Sequence, residues 1–207
     1  MRDLITARLG ILPPEPDLVA DLPVRGDFDL NPALRALAPE DRPLRRAAVL
    51  IPLVDRPEAM TVLLTRRTDH LANHAGQVAF PGGRVEPHDR GPVDAALRET
   101  EEEVGLARGF IDVVGALDGY ETGTGFHISP IVGLVRTGFT LTPDPHEVAD
   151  VFEVPLSFIL DRRNHERRSG VWQGLERHYW AIPFGDRFIW GATAGMLVNL
   201  VERLEKA

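Results

Sequence analysis

The feature that most constrains this chain is a predicted helix whose end holds four glutamates in five consecutive positions. Glu99, Glu101, Glu102 and Glu103 lie directly before Val104. The C-terminal end of a helix carries partial negative charge, and carboxylates three or four positions apart repel each other, so each acid costs up to about 1 kcal/mol there. The sequence therefore tolerates a local electrostatic penalty, which a bound cation would relieve.

Helical geometry predicts that three of these acids share one face. Glu102 and Glu103 follow Glu99 at i+3 and i+4, so at about 100° per residue the three fall within one arc of about 100°. The arc borders the apolar stripe of the helix, which comprises Val93, Ala96, Leu97, Thr100 and Val104. Carboxylate oxygens are the hard ligands that Mg²⁺ and Mn²⁺ take, so we interpret the three acids as a metal site. The alternative is a solvated acidic patch.

A glycine pair precedes the helix. Residues 80–85 are typical of a strand that ends in a tight turn at Gly82-Gly83. Pro92 suits the first turn of the helix that follows. Paired glycines also allow the backbone to approach another group closely. We therefore predict a strand, a glycine turn, a loop and then the acidic helix.

Taken in order, the glycine pair, Arg98-Glu99, Glu102-Glu103 and Gly105 resemble the Nudix box. In the Nudix hydrolase family, this loop-helix-loop holds divalent metal against a diphosphate that is linked to another moiety. The resemblance implies an α/β fold with a mixed sheet sandwiched between helices. It also implies a metal ligand from the Gly82 carbonyl and an orienting role for Arg98 toward the carboxylates.

Three features depart from the usual box. Arg90 stands where a glutamate is usual, and Asp89 and Glu86 are the nearby acids. The interval between the glycine pair and the arginine is one residue longer than the common spacing. Thr100 replaces a bulky aliphatic residue. These departures leave the first acid of the box without a clear counterpart.

The segment before the box is similar to that of coenzyme A pyrophosphatases. The similar positions are residues 63–67, Leu71, His74, Gly76 and 80–83, followed later by 151–156 and 189–195. This likeness runs from about residue 47 to residue 204. We predict Arg66, Arg67, His74 and Gly83 as substrate-binding residues, since a basic pair before the metal loop suits an anionic substrate. The alternative is that residues 61–80 form only a strand and a connecting loop.

The predicted chemistry is attack of water on one phosphorus of a pyrophosphate, with departure of the other phosphate group. We call Glu99, Glu102 and Glu103 the acidic cluster. Mg²⁺ or Mn²⁺ bound there would neutralise phosphate oxygens and lower the pKa of a bound water. The general base is either a box glutamate or Glu147, which lies in a turn-rich segment before a predicted strand. An ordinary exposed loop acid is the alternative for Glu147.

Three hypotheses about function follow. The first is a coenzyme A pyrophosphatase that releases 3',5'-ADP and 4'-phosphopantetheine. The second is a Nudix pyrophosphatase that acts on ADP-ribose, on dinucleotides such as NADH or on nucleoside triphosphates. The third is a non-catalytic Nudix-like ligand sensor. The segment 63–83 favours the first hypothesis over the second, and the complete set of acids disfavours the third.

Composition excludes several other classes. A net charge of -8 disfavours a nucleic-acid partner held by phosphate neutralisation. The 207 residues contain no cysteine, which excludes disulfides, zinc thiolate sites and a cysteine nucleophile. No apolar run reaches the roughly 18 residues of a membrane span, and no signal-peptide pattern opens the chain. We therefore expect a cytoplasmic protein that makes no membrane contact.

We divide the chain into an N-terminal extension, 1–45, and a Nudix domain, 46–207. The extension is rich in Pro and Arg, is predicted to contain one or two short helices near 9–12 and 33–37, and would cover the sheet or a partner chain, for example in a homodimer. Strands are predicted at 47–54, 61–66, 111–116, 128–135, 151–154, 171–172 and 177–182, and helices at 92–104, 156–160 and 192–204.

Overall fold

The computed structural model describes residues 1–9, 22–35, 43–70, 74–172 and 174–205. Its helices are α1 (Arg2–Leu9), α2 (Pro32–Arg35), α3 (Pro92–Val104), α4 (Leu156–Leu160) and α5 (Gly191–Glu205). Its strands are β1 (Val24–Gly26), β2 (Arg45–Val54), β3 (Thr61–Arg67), β4 (Val78–Ala79), β5 (Gly82–Arg84), β6 (Ile111–Ala116), β7 (Gly119–Glu121), β8 (Phe126–Val135), β9 (Val148–Pro155), β10 (Glu166–Trp172), β11 (Leu175–Phe184) and β12 (Arg187–Trp190). Leu71 and residues 10–12, 36 and 37, which entered the predictions, lie outside the described residues.

A mixed sheet of nine strands forms the centre of the molecule. The strands follow the order β1-β7-β8-β2-β3-β4, while β5 pairs with β2, β6 with β8 and β9 with β3. β2 and β8 run parallel along their full lengths, and β3 pairs antiparallel with both β2 and β9. The long apolar runs of β2 and β8 suit these central positions because both faces of the sheet are covered.

Successive residues of the central strands pack into two different cores. Ala48, Leu50 and Leu63 pack with α3 on one face of the sheet. Ile51 and Leu64 pack with α5 on the other face. This alternation follows from the two-residue period of a strand. The predicted α/β fold, with a mixed sheet between helices, is therefore confirmed.

A second, smaller sheet extends the α5 side. Its three strands run antiparallel in the order β10-β11-β12. Ile182 and Ile189 are fully buried in the core that also contains the apolar face of α5. Within the described residues, no helix combines the length and the apolar character needed to cross a membrane.

The N-terminal segment packs on the central sheet. Ile5 of α1 is fully buried in the α5-side core, and Leu9 is also buried there. β1 adds a parallel edge strand to β7. The division of the chain at residue 45 stays a prediction, although β2 begins at this residue.

The turn predicted at Gly82-Gly83 is wrong. Both glycines lie in β5 and pair with Val49 and Ala48 of β2. Gly82 has φ 153°, and a Cβ there would lie 2.4 Å from the Ala48 carbonyl oxygen. Close approach of two backbones, which the sequence also suggested, is therefore the reason for glycine at this position.

Candidate active site

Helix α3 carries the acidic cluster, and its ends are set by local sequence. Pro92 occupies the first turn, and Gly105 terminates the helix in the left-handed conformation with φ 71°. Thr100 is fully buried, and its hydroxyl donates to the Ala96 carbonyl at 2.6 Å. This hydrogen bond satisfies the hydroxyl group of Thr100, which stands where the Nudix box usually has a bulky aliphatic residue.

Glu103 is the most deeply buried acid of the cluster, with a relative exposure of 4%. The Gly82 N–H donates to one carboxylate oxygen at 3.1 Å, and Arg67 Nη1 lies 3.6 Å from the other. Burial raises the pKa of Glu103 to about 8, although the Gly82 hydrogen bond and the Arg67 charge act in the opposite direction. The negative charges of Glu147 and Glu99 raise this pKa further.

Glu99 lies against the second glycine of the pair. A Cβ on Gly83 would lie only 2.4 Å from Glu99 Cδ, so the side chain of Glu99 occupies the space that glycine leaves. Burial raises the pKa of Glu99, and the hydrogen bond and charge of Arg98 oppose that rise. The predicted substrate-binding residue Gly83 is thus placed beside the acidic cluster.

Arg98 connects the helix to the preceding loop. Its Nη1 donates to Glu99 Oε1 at 2.8 Å and to Glu102 Oε2 at 2.9 Å. Its Nε and Nη2 donate to the two carboxylate oxygens of Asp89 at 2.8 and 2.9 Å. Its Nη2 also bonds the Arg84 carbonyl at 3.2 Å. These contacts support the predicted orienting role of Arg98.

The sequence left open which nearby acid, Asp89 or Glu86, substitutes for the missing box glutamate, and Asp89 is the one that contacts Arg98. Its side chain is 1% exposed and forms the two-bond ion pair with Arg98, which lowers the pKa of Asp89. Glu86, the other acid considered, is exposed and bonds the Asp89 carboxylate through its backbone N–H. Arg90, at the usual glutamate position, is exposed and pairs with Asp94. Asp89 lies one residue before the usual glutamate position, and the loop is one residue longer than usual. An acid therefore still contacts Arg98.

The three acids share a helix face but are not assembled around one point. Glu102 is 59% exposed, and Arg98 lies between its carboxylate and that of Glu99. In the part of the chain that the structure describes, no group of three or more His, Cys, Asp or Glu side chains is spaced to hold a metal ion. The donor types nevertheless fit a divalent cation, because carboxylate oxygens are the hard ligands that such cations take.

Glu147, far away in sequence, lies close to the acidic cluster. Its charge raises the pKa values of both Glu99 and Glu103. Its loop is tied to the end of α3, because the Asp144 N–H donates to the Glu103 carbonyl at 2.9 Å. The Glu147 carbonyl accepts from the Thr68 N–H at 3.0 Å, and its side chain is exposed. An exposed carboxylate beside buried ones is placed suitably for a general base.

The predicted substrate-binding residues occupy three different positions. Arg67 contacts Glu103, and its buried Nε has no hydrogen-bond partner among the described residues. Arg66 pairs with exposed Asp69 and lines a separate cleft. His74 is exposed, has a left-handed backbone with φ 58°, and its Nδ1 lies 2.9 Å from Gln77 Oε1. Arg67 contacts Glu103 and Gly83 lies against Glu99, so these two of the four predicted residues adjoin the acidic cluster.

Comparison with known proteins gives consistent matches. The NUDIX domain family model matches residues 44–184. Two proteins named Uncharacterized Nudix hydrolase NudL, from Yersinia pestis (strain Pestoides F) and Yersinia pseudotuberculosis serotype O:1b (strain IP 31758), are each 42% identical over 160 residues, which cover 77% of this chain and 80% of theirs. The crystal structure of a MutT/nudix family protein from Enterococcus faecalis has a similar fold, with a TM-score of 0.52 and 18% identity over 84% of this chain and 69% of that one.

Proposed function

The chain belongs to the Nudix family, and we propose that it hydrolyses the diphosphate linkage of coenzyme A or its derivatives with Mg²⁺ or Mn²⁺. Water attacks one phosphorus, the bridging oxygen leaves with the other phosphate, and the products are 3',5'-ADP and 4'-phosphopantetheine, or its acylated form. A cytoplasmic location and a homodimer remain predictions.

The observation that carries the proposal is the environment of Glu103. Its carboxylate is buried beside Glu99 and Glu147, while the nearest cation among the described residues, Arg67, is 3.6 Å away. Such a carboxylate is poorly compensated by the protein, so a divalent cation would stabilise its charged form. We propose Glu99, Glu102, Glu103 and the Gly82 carbonyl as the ligands. When bound, the metal supplies charge neutralisation at the phosphate oxygens and a water of lowered pKa.

The other residues have separate proposed roles. Arg98 holds the carboxylates of Glu99 and Glu102, and Asp89 fixes Arg98 through two hydrogen bonds. Arg67 has an unused Nε donor and is proposed to bind a phosphate oxygen of the substrate. Glu147 is proposed to take a proton from the attacking water, since an exposed acid beside the cluster can exchange that proton with solvent.

The coenzyme A specificity rests on the resemblance of segment 63–83. Within this segment, β3 ends at Arg67 and β5 begins at Gly82, and both of these residues contact Glu103. We propose that residues of this segment contact the moiety that the diphosphate carries. Gln77 and Arg66 line a cleft beside it.

The test incubates the purified protein with coenzyme A, ADP-ribose, NADH and a nucleoside triphosphate, with and without Mg²⁺ or Mn²⁺, and identifies the products by mass spectrometry. Metal-dependent release of 3',5'-ADP and 4'-phosphopantetheine, faster than turnover of the other compounds, is the expected result. A preference for another diphosphate would overturn the coenzyme A specificity and keep Nudix chemistry. Absence of turnover with every compound would overturn the enzymatic proposal and favour the ligand sensor.

A further inference from the structure

The loop that carries Glu147 is held on two sides. On one side, the Asp144 N–H donates to the Glu103 carbonyl at 2.9 Å, which ties the loop to the end of α3. On the other side, the loop meets Thr68, the residue that follows β3. The Thr68 N–H donates to the Glu147 carbonyl at 3.0 Å, and the Thr68 hydroxyl donates to the His146 carbonyl at 3.1 Å. Glu147 therefore lies between two fixed parts of the fold.

Thr68 is itself held firmly. It is only 6% exposed, and its carbonyl accepts from the Gly76 N–H at 3.4 Å. The preceding residue, Arg67, donates its N–H to the Gln77 carbonyl at 3.0 Å. The N–H, the carbonyl and the hydroxyl of Thr68 are thus all hydrogen-bonded. A buried residue whose polar groups are all bonded is rigid, so it can hold a neighbouring loop in one position.

A β-bulge lies beside this loop. β3 and β9 pair in register as far as Arg66. The register then shifts, because Arg67 pairs with Val148 and leaves Ala149 as an extra residue of β9. A bulge bends its strand and changes the direction of the side chains beside it. The bend therefore falls two residues after Glu147, where the loop joins the strand.

The two bonds from Thr68 fix the backbone on both sides of one side chain. The His146 and Glu147 carbonyls belong to the two peptide groups that flank the Glu147 Cα. Each peptide group is planar, so holding both planes sets the direction of the Cα–Cβ bond between them. Arg67, one residue earlier, lies 3.6 Å from the Glu103 carboxylate. Consecutive residues thus contact a proposed metal ligand and orient the proposed base.

We propose that Thr68 is a positioning residue, which directs the Glu147 carboxylate toward the acidic cluster for proton transfer from the attacking water. This inference rests on the proposed function. Thr68 acts through the backbone of residues 146 and 147 and does not itself touch the reacting atoms. Its hydroxyl is the group that a substitution can remove, since the bond from its N–H remains in every variant except proline.

The experiment measures kcat and KM of full-chain variants with Mg²⁺ on coenzyme A, or on whichever tested diphosphate the wild type hydrolyses fastest. Thr68→Val keeps the shape of the side chain but removes the hydroxyl, so the His146 carbonyl loses its partner and the loop should shift toward water. We expect kcat to fall roughly tenfold, since a displacement of about 1 Å can cost about 100-fold in rate. KM should stay within about twofold of the wild-type value. Thr68→Ser keeps the hydroxyl and should restore kcat.

A double-mutant cycle separates positioning from general damage. Glu147→Gln alone should lower kcat by about 100-fold or more, which is typical for loss of a general base. Addition of Thr68→Val to this variant should lower kcat no further, because the positioned carboxylate is already absent. A further fall in the double variant, comparable to that in Thr68→Val alone, would overturn the proposal. Near-normal kcat in Glu147→Gln or in Thr68→Val would also overturn it.

Thr193→Val is the matched control. Thr193 is 7% exposed, and its hydroxyl donates to the Val78 carbonyl at 3.1 Å, so the same kind of bond is lost elsewhere in the fold. This variant should keep the wild-type kcat. Hydrogen exchange of residues 144–148 gives a second readout that needs no activity, and it should become faster in Thr68→Val but not in Thr193→Val. Unchanged exchange in Thr68→Val would overturn the proposal. If the wild type hydrolyses no diphosphate, the proposed function fails, whereas faster exchange would still show that Thr68 holds the loop.

Discussion

Replacement of Asp89 by Asn tests the ion pair that organises the candidate site. The side chain of Asp89 is almost fully buried and accepts two hydrogen bonds from Arg98. Asn retains one acceptor oxygen but loses the negative charge and one of the two bonds. A charge-assisted hydrogen bond contributes about 1.5–3 kcal/mol, whereas breaking a buried ion pair outright costs about 3–5 kcal/mol. Arg98 keeps Glu99 and Glu102 as partners, so the lower value applies, and we expect a loss of about 2 kcal/mol.

Thermal denaturation followed by circular dichroism measures this loss. For a chain of this length, about 2 kcal/mol corresponds to a fall in Tm of roughly 4–8 °C. Glu86→Gln is the matched control, since Glu86 is the other acid near the missing box glutamate but its side chain is exposed. The Glu86 variant should melt within about 1–2 °C of the wild type. An equal loss in both variants, or no loss in the Asp89 variant, would refute the assignment of Asp89 as the partner of Arg98.

Three further predictions concern the acids. Glu102→Gln should lose most turnover and keep the wild-type circular dichroism spectrum, and a near-normal rate in Mg²⁺ would contradict the metal assignment. Divalent metal should raise the Tm of the wild type more than that of Glu103→Gln, whereas equal shifts would contradict metal relief of the buried charge. Arg56 holds the pKa of Glu153 below its usual range. The stability that Glu153 contributes is therefore present above the unfolded pKa of about 4.3 and is lost as pH falls through the lower folded value, so the Tm difference between wild type and Glu153→Gln should shrink in acid.

Local periodicity predicted α3, β2 and β3 closely, but it predicted only two of the seven residues of β10 and did not predict α1 at Arg2–Leu9. The predicted helix 92–104 coincides with α3, because its proline start, apolar stripe and terminal glycine are all encoded within the segment. The predicted strands 47–54 and 61–66 match β2 and β3 to within two residues. β1 and β12 were missed since they contain three and four residues, too few to display a period. β1 is a strand because its backbone pairs with β7, which lies almost a hundred residues later in the chain.

The site was predictable in its residue types but less so in its contacts. Helical spacing predicted that Glu99, Glu102 and Glu103 share one face of α3, but Arg98 separates the carboxylates of Glu99 and Glu102. Burial of Glu103 depends on β5 pairing with β2, because this register brings the Gly82 N–H to the carboxylate. The ion pair between Arg98 and Asp89 depends on the path of the loop before α3, which buries the side chain of Asp89 and exposes that of Arg90. Neither feature has a local sequence signal.

Arginines beside the C-terminal end of α3 relieve part of the repulsion that the sequence implies among its glutamates. Arg98 pairs with Glu99 and Glu102, and Arg108 lies 3.6 Å from Glu101. Three of the four glutamates therefore have arginine partners on exposed or half-buried surface, so their repulsion is largely relieved within the protein. Glu103 also has an arginine at 3.6 Å, Arg67, and differs from the other three glutamates in its burial. The proposed metal would therefore gain most from Glu103 and would compete with Arg98 for Glu99 and Glu102.

The contacts that satisfy the end of α3 also position the candidate base. The last carbonyls of a helix lack partners within it. Here the Thr142 N–H donates to the Val104 carbonyl and the Asp144 N–H to the Glu103 carbonyl, each at 2.9 Å. Asp144 is three residues before Glu147, whose N–H in turn donates to the Asp144 carbonyl at 3.1 Å. The backbone groups that complete the helix therefore fix the distance between Glu147 and the acidic cluster, so a shift of this loop would separate the proposed base from the proposed metal ligands without altering any of the acids.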